Sequence, residues 1–377
     1  MVFKKKYLVK NKWLYLGLFF VDFFTFFLKK KTSKNIFKNI KKILISNIAH
    51  LGDVTIATGI LPILKEVYPN IKIGFLCSSF TQDILKNHPL VDKIYTFDHF
   101  KLSRKNISIF EKIKIHFNSK CKAVKEISEE NYDLAVDLYH YFPNSSHLLY
   151  KTKIPHRIGY SSGGFSNFFT KKVSYANFNK NISSLNLNLL GCFNRWFLMY
   201  GNPRPSLNLI KSSLSALHEG SKLRDYFIIH MGSGDQNKEP ALHFWKKLIN
   251  DAKIGSCKGC FTGKGEKENK NINLIIQNSA NFLDFSNKLD FYQLINFVKN
   301  SRFVICVDSF ILHVAHAFNK KTVCLFSDIN NSEKWCPKSE NVKLVKFNKK
   351  KMENNKEYFH EIQEKVKQEI KGLGERL

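Results

Sequence analysis

The feature that most constrains this fold is an alternation of apolar runs with amphipathic segments that occurs twice along the chain. Strands alternating with helices form a parallel sheet with helices on both of its faces. The first half therefore predicts an α/β domain with a doubly wound parallel sheet. Its predicted strands cover residues 43–48, 71–77, 93–97, 134–138 and 157–159, and its predicted helices cover 54–68, 81–86 and 103–130.

The alternation restarts after Asn202-Pro-Arg-Pro205, the best candidate for a linker. In the second half we predict strands at 226–231, 254–261, 303–307 and 322–326, and helices at 241–252, 288–300, 308–318 and 354–373. A chain of 377 residues readily forms two α/β domains. The predicted organisation is an apolar helix in 1–40, a domain in 41–205, a second domain in 206–350 and a charged helix in 351–377.

The net charge of +29 suggests an anionic partner. Only seven of the 60 basic residues are Arg, the residue best suited to reading bases and gripping phosphate. The Lys residues are spread along the whole chain rather than clustered. These observations argue against a specific nucleic-acid partner and leave attraction to an anionic membrane as an expectation.

Residues 13–28 are apolar, and Lys4-Lys-Lys6 and Lys29-Lys-Lys31 flank them. Sixteen residues interrupted by Asp22 are short for a bilayer span, and no small-residue cleavage site follows. Two interpretations stay open, an aromatic helix in the lipid headgroup region and a helix packed on the protein itself.

Two junctions between a predicted strand and the next helix carry unusual residues in the first half. Ligands of open parallel sheets bind beyond the carboxyl ends of the strands. Asp53, beside Gly52, is either a general base facing a cleft or a helix cap. Asp137 ends another strand, as a cleft residue or a buried cap.

Three junctions in the second half suggest an anion site. His230-Met-Gly232-Ser233-Gly234, followed by Lys238, is either an anion cradle or a turn with a surface Lys. Glu266 follows a Gly-rich turn and could bind ribose hydroxyls or lie in solvent. Asp308-Ser309 begins a helix with His313 one turn in, a geometry that favours pyrophosphate. No metal-ligand cluster is recognisable, and the lone Cys257-Lys-Gly-Cys260 is a weak zinc signal.

In this order, the pieces resemble glycosyltransferase family 9, the heptosyltransferase family, over residues 42–345. The resemblance rests on Leu51-Gly-Asp-Val54, His88-Pro-Leu-Val-Asp-Lys-Ile94, Asn131-Tyr-Asp-Leu-Ala-Val-Asp-Leu138, Arg157-Ile-Gly159, His230-x-Gly-x-Gly234 with Lys238 and Trp245, and Val307-Asp-Ser-Phe-Ile-Leu-His-Val-Ala315.

The resemblance implies a GT-B architecture, two Rossmann-like domains facing a central cleft, and sugar transfer with inversion from ADP-heptose without a required metal or cofactor. It implies a lipopolysaccharide-type acceptor at the cytoplasmic face of the inner membrane. Carried over by position, Asp53 is the general base, Lys238 and His313 hold the diphosphate, Asp308 and Ser309 belong to the donor loop, and Glu266 lies near the ribose. The acceptor-side candidates are Gly52, Asp137 and His140.

Two positions depart from the family pattern. Phe310 stands where the family has Gly after its Asp-Thr pair, and Tyr139-His140 replace the familiar Gln after Asp-Leu. The alternatives that follow are a transferase of a UDP- or GDP-linked hexose for O-chain or capsule, and a sugar-nucleotide-binding protein without catalysis.

Overall fold

The structure is a computed structural model that describes residues 6–28, 40–175, 180–208, 223, 225–251, 257–276, 281–373 and 375. The chain divides into two compact units, Met1–Asn208 and Leu209–Leu377, here called unit 1 and unit 2. The predicted linker at Asn202–Pro205 lies in unit 1, just before the division.

Unit 1 is built on a parallel sheet of six strands among the described residues, in the order β3-β2-β1-β4-β5-β6. The strands are β1 (Lys42–Ser46), β2 (Lys72–Cys77), β3 (Lys93–Thr96), β4 (Leu134–Asp137), β5 (His156–Tyr160) and β6 (Lys171–Val173). The helices are α1 (Lys12–Phe24), α2 (Leu51–Ala57), α3 (Ile60–Val67), α4 (Ile109–Glu129), α5 (Ser146–Lys151) and α6 (Ile182–Leu190).

Unit 2 repeats this plan with the sheet order β12-β11-β10-β7-β8-β9. The strands are β7 (Tyr226–His230), β8 (Lys258–Thr262), β9 (Phe282–Asp284), β10 (Phe303–Val307), β11 (Lys321–Ser327) and β12 (Val342–Phe347). The helices are α7 (Leu242–Asn250), α8 (Glu266–Ile276), α9 (Phe291–Asn300), α10 (Phe310–Ala317), α11 (Ser332–Trp335), α12 (Lys349–Asn354) and α13 (Lys356–Gly372).

The central strands are apolar along their whole length because helices cover both faces of each sheet. Ile43, Leu44 and Ile45 of β1 are all fully buried. Leu44 packs with Ala123 and Ile127 of α4, while its neighbours along the strand point to the opposite face. Each half is therefore a doubly wound α/β domain, as the sequence predicts.

Several predicted elements differ from the observed ones. The helix predicted at 54–68 is interrupted at Thr58 and Gly59, and the helix predicted at 103–130 begins only at Ile109, after the cap formed by Ser108. A break at Asn355 divides the helix predicted at 354–373. The strand predicted at 254–261 is observed as Lys258–Thr262, and residues 254–256 lie outside the described residues.

Helix α1 packs on unit 1 through one face. Asp22, only 4% exposed, accepts hydrogen bonds from the Tyr7 hydroxyl at 2.8 Å and the Ser166 backbone N–H at 2.9 Å, and Lys6 lies 3.3 Å away. Leu18 is buried beside Gly164. Packing on the protein, one of the two interpretations of this segment, therefore holds for this face.

The opposite face of α1 and the 3₁₀ turn that follows it is apolar and exposed. Trp13 is 82% exposed, and seven further large apolar side chains accompany it: Leu16, Phe19, Phe20, Phe23, Phe24, Phe26 and Phe27. Within the described parts of the chain, no helix has the length and apolar character needed to cross a membrane.

Candidate active site

Both sheets have the strand order in which ligands bind where the winding direction reverses, beyond the carboxyl ends of the two central strands. In unit 1 these strands are β1 and β4, and in unit 2 they are β7 and β10. Ser46 at the end of β1 pairs with Asp137 at the end of β4. Most predicted site residues lie at these two points, each in its own unit.

Asp53 lies in the first turn of α2, directly after β1. Its carboxylate accepts a hydrogen bond from the His50 backbone N–H at 3.3 Å and so completes a capping box. The side chain is only half-buried. A capping role for Asp53 is therefore observed, and its role as general base stays a prediction.

Asp137 and His140 shape the loop beside Asp53. The buried Asp137 carboxylate accepts hydrogen bonds from the backbone N–H and hydroxyl of Ser145 at 2.9 and 2.8 Å, and burial raises its pKa to about 6. His140 is also buried and stacks on Tyr175 at 4.8 Å. Both side chains are buried inside the loop and stabilise it. Gly52, the third acceptor-side candidate, lies beside Asp53 in the first turn of α2.

Tyr139 and Tyr141 belong to this loop and lie near Asp53, the candidate base. Burial raises the pKa of both phenols, and the negative charge of Asp53 raises each of them further. Tyr139 and Tyr141 thus form an aromatic wall near Asp53, and Tyr139 stands at the position where the family pattern has Gln.

A cavity of about 270 Å³ opens at the same end of the unit 1 sheet. Its lining includes Ala49, Ser78 and Asp98, which follow β1, β2 and β3. It also includes three basic side chains, those of Arg104, Lys105 and Lys112. The sequence analysis did not single out these residues, although a basic cluster after a strand is a signal that could have found them.

In unit 2, the loop after β7 contains the predicted anion cradle. The ring nitrogen Nδ1 of His230 shares a hydrogen bond of 2.9 Å with Thr262 Oγ1, and burial lowers the pKa of this His to about 4. The backbone N–H of Ser233 donates to Glu239 Oε1 at 2.7 Å, so a carboxylate of the protein occupies this part of the cradle. Gly234, next in the loop, is exposed.

Glu268, two residues after the predicted ribose contact Glu266, lies against this loop. Glu266 is exposed in the first turn of α8. A Cβ atom at Gly232 would lie 2.1 Å from Glu268 Oε1, and one at Gly263 would lie 2.4 Å from Oε2. Burial raises the pKa of Glu268, which accepts the Lys264 N–H at 3.0 Å. The two glycines make room for a carboxylate between the ends of β7 and β8.

Lys238 and Asp308 form an ion pair across the switch point of unit 2. The Lys238 Nζ atom lies 2.8 Å from Asp308 Oδ2, and Asn330 Nδ2 donates to the same oxygen at 2.6 Å. Lys238 remains partly exposed, whereas Asp308 is buried. The ion pair fixes the position of the Lys238 ammonium group at the mouth of the loop. No sequence signal pointed to Asn330.

Ser309 and His313 begin α10 beside this pair. Ser309 is the N-cap residue, and its buried Oγ atom has no hydrogen-bond partner among the described residues. Burial lowers the pKa of the buried His313 to about 4, so the ring is neutral at pH 7. A neutral imidazole, an unpartnered hydroxyl and a helix N-terminus can all donate hydrogen bonds to a phosphate.

Phe310 follows Ser309, and its ring stacks on Phe291 at 5.8 Å. Cys257 and Cys260 are buried free thiols. The part of the chain that the structure describes holds no group of three or more His, Cys, Asp and Glu residues able to bind a metal ion.

Comparisons with known proteins agree with this arrangement. A model of glycosyltransferase family 9 (heptosyltransferase) matches residues 121–363. The lipopolysaccharide heptosyltransferase 1 of Campylobacter coli is 26% identical over 305 residues, which are 76% of this chain and 83% of that protein.

Two solved structures share the fold at 16% sequence identity each. The glycosyl transferase family 9 protein of Veillonella parvula superposes with a TM-score of 0.72 over 90% of this chain and 99% of its own. The ADP-heptose lipopolysaccharide heptosyltransferase II of E. coli superposes with a TM-score of 0.68 over 88% and 98%. With two Rossmann-like domains of the GT-B class and a family match over most of its length, this chain is a glycosyltransferase and belongs to glycosyltransferase family 9, the heptosyltransferase family.

Proposed function

We propose that this chain transfers a heptose, or a closely related sugar, from ADP-heptose to a lipopolysaccharide-type acceptor, with inversion and at a membrane surface. The observation that carries the proposal is the group formed by Lys238, Ser309 and the neutral His313 at the switch point of unit 2. These residues supply a positioned ammonium group and hydrogen-bond donors suited to a diphosphate. The names of the C. coli and E. coli relatives support the donor and the acceptor.

In the proposed reaction, an acceptor hydroxyl oxygen bonds to the anomeric carbon while the bond from that carbon to the diphosphate breaks. Asp53 takes the proton of the hydroxyl, and the leaving group departs as ADP. Attack from the side opposite the leaving group inverts the configuration at that carbon. Lys238, His313 and the N-terminus of α10 stabilise the charge that develops on the diphosphate, so the proposal calls for no metal ion.

The cavity of unit 1 supports an acceptor that carries negative charge. Arg104, Lys105 and Lys112 line it, and it opens at the same end of the sheet as Asp53. A phosphate or carboxylate of the acceptor would be held there by these basic side chains. The aromatic wall of Tyr139 and Tyr141 would then border the attacking hydroxyl.

The exposed apolar face of α1 supports a location at the membrane. Aromatic side chains there are next to Lys10 and Lys12, and the sequence places further Lys residues at both ends of the segment. A helix of this composition lies in the plane of the headgroups. We therefore propose peripheral attachment to the cytoplasmic face of the inner membrane, where a lipid-linked acceptor would be available.

Phe310 favours a second candidate, a different donor. A large ring stands where the family pattern has Gly, beside the phosphate-binding end of α10. A UDP- or GDP-linked hexose for O-chain or capsule is then the donor to test, as is binding of a sugar nucleotide without transfer.

A thermal-shift titration with ADP, UDP and GDP tests these possibilities. Stabilisation by ADP in preference to the other two supports ADP-heptose as the donor. A preference for UDP or GDP would leave a transferase of another sugar, and no stabilisation by any of the three would contradict a sugar-nucleotide site.

A further inference from the structure

A second exposed apolar surface lies at the beginning of α4. Phe110, in the first turn of the helix, is 81% exposed, and Ile109 and Phe80 are also exposed. We call these three residues the α4 rim. Phe80 lines the cavity of unit 1, and so does Lys112, which lies one turn after Ile109 on the same side of α4, so the rim borders that cavity. Single exposed apolar side chains are ordinary, but several beside one opening indicate an interaction surface.

The charges around the α4 rim are mostly positive. Five basic residues lie between positions 101 and 114, and the acidic residue within this stretch, Glu111, uses its carboxylate to accept the Ser108 N–H at 3.1 Å. Aromatic and basic side chains at one surface match the headgroup region of an anionic bilayer, which accepts rings and attracts cations together. The basic residues are Lys101, Arg104, Lys105, Lys112 and Lys114.

Ring contacts connect the docking site of α1 to the cavity that the α4 rim borders. Phe165, next to the Gly164 that receives Leu18 of α1, stacks on Phe142 at 5.9 Å. Phe142 in turn contacts His99 at 6.1 Å and lies 5.0 Å below the Lys101 ammonium. His99 lines the cavity that the rim borders.

These contacts place both apolar surfaces at one end of the unit 1 sheet. The loop that holds α1 follows β5, and the loop that leads to α4 follows β3, so both leave the sheet at the carboxyl ends of the strands. Asp53 and the cavity lie at this same end.

We propose that the α4 rim enters the same anionic bilayer surface as α1, so that unit 1 is attached to the membrane at two points. This inference rests on the proposed function, because it explains how a lipid-linked acceptor reaches the cavity. The acceptor headgroup enters between the two contacts while its lipid part stays in the bilayer.

The test measures binding of the full chain to vesicles of phosphatidylcholine with and without phosphatidylglycerol. The Ile109→Glu/Phe110→Glu chain should lose about tenfold or more in partition coefficient on the anionic vesicles, because an inserted aromatic ring contributes about that factor. Thermal unfolding and ADP binding should match those of the unaltered chain, since both side chains are exposed.

Trp196→Glu/Met199→Glu is the matched control, because it adds the same two negative charges at exposed apolar positions. Met199 is 77% exposed in unit 1, in a 3₁₀ turn that follows Asn194. Asn194 Nδ2 donates to the Tyr68 hydroxyl at the end of α3, which places this turn at the opposite end of the sheet. Its vesicle binding should equal that of the unaltered chain. A loss as large as that of the rim variant would overturn the proposal.

Phe20→Glu/Phe24→Glu distinguishes failure of the second membrane contact from failure of the proposed membrane attachment through α1. Loss of vesicle binding in this α1 variant together with unchanged binding in the rim variant would overturn the second contact and leave the proposed membrane attachment standing. An environment-sensitive fluorophore on Phe110→Cys, in a chain with Cys121→Ser, gives an independent measurement. Its emission should shift to the blue on anionic vesicles, and an unchanged spectrum would also contradict the proposal.

Discussion

Asp53 is assigned two roles, capping of α2 and removal of the acceptor proton, so different substitutions should affect stability and activity separately. Asp53→Asn keeps an oxygen that can accept the His50 N–H, now 3.3 Å from the carboxylate, but it cannot take a proton at neutral pH. The unfolding free energy should therefore change little. A general base contributes about 10²–10⁴-fold to the rate, so kcat should fall by about that factor.

The Asp53→Ala variant should lose both the capping hydrogen bond and the general base. Loss of a capping interaction costs about 0.5–2 kcal/mol. In a domain of this size each kcal/mol lowers the Tm by about 2–4 °C. Scanning calorimetry and a coupled assay of ADP release, each run on both variants, provide the measurements. Wild-type kcat in Asp53→Asn would refute the assignment of the base, and loss of ADP binding in that variant would show that the defect lies elsewhere.

Three further predictions concern unit 2. Burial lowers the pKa of His230 and His313 to about 4, so between pH 6.5 and 4 the unfolded chain binds more protons than the folded chain, and stability should fall on acidification through this window. His313→Asn should make the Tm depend less steeply on pH. An unchanged dependence would contradict burial of a neutral ring. Lys238→Met should weaken ADP binding about 10–100-fold, because it removes a charge-assisted hydrogen bond to the diphosphate, and it should leave adenosine binding unchanged. Calorimetry measures both affinities. Equal losses for the two ligands would argue against a phosphate contact. Gly232→Ala should lower the Tm, because its methyl group would meet Glu268 at 2.1 Å, and Glu268→Ala should relieve most of that loss; additive effects would contradict the contact.

The architecture could be predicted because both sheets are covered on both faces. Strands such as Ile43–Ile45 and Phe303–Val307 are continuous apolar runs, which parallel pairing requires. The edge strands Lys171–Val173 and Phe282–Asp284 were missed because three residues carry too little pattern, and Val342–Phe347 was missed because two Lys residues interrupt its apolar run. Gly59, at the break between α2 and α3, makes room for a tertiary contact that local periodicity does not contain, since a Cβ atom there would lie 3.0 Å from the backbone oxygen of Arg204.

The sequence allowed prediction of the loops that form the candidate site, but not of the residues that contact these loops from elsewhere in the chain. The order of motifs indicated Asp53, Lys238 and His313, since each follows a strand end. It did not indicate Glu268, because that residue lies in the site through a contact with Gly232 that only the folded chain brings about. Asn330, 22 residues after the Asp308 that it contacts, was equally invisible.

The most direct measurement is a transfer reaction with the purified chain, ADP-heptose and a heptose-deficient lipopolysaccharide acceptor, in which ADP release and acceptor mass are followed together. We expect one ADP for each acceptor that gains a heptosyl residue, and NMR of the product should show the inverted anomeric configuration. Release of ADP without a heavier acceptor, or transfer only from UDP- or GDP-linked hexose, would contradict the proposed function.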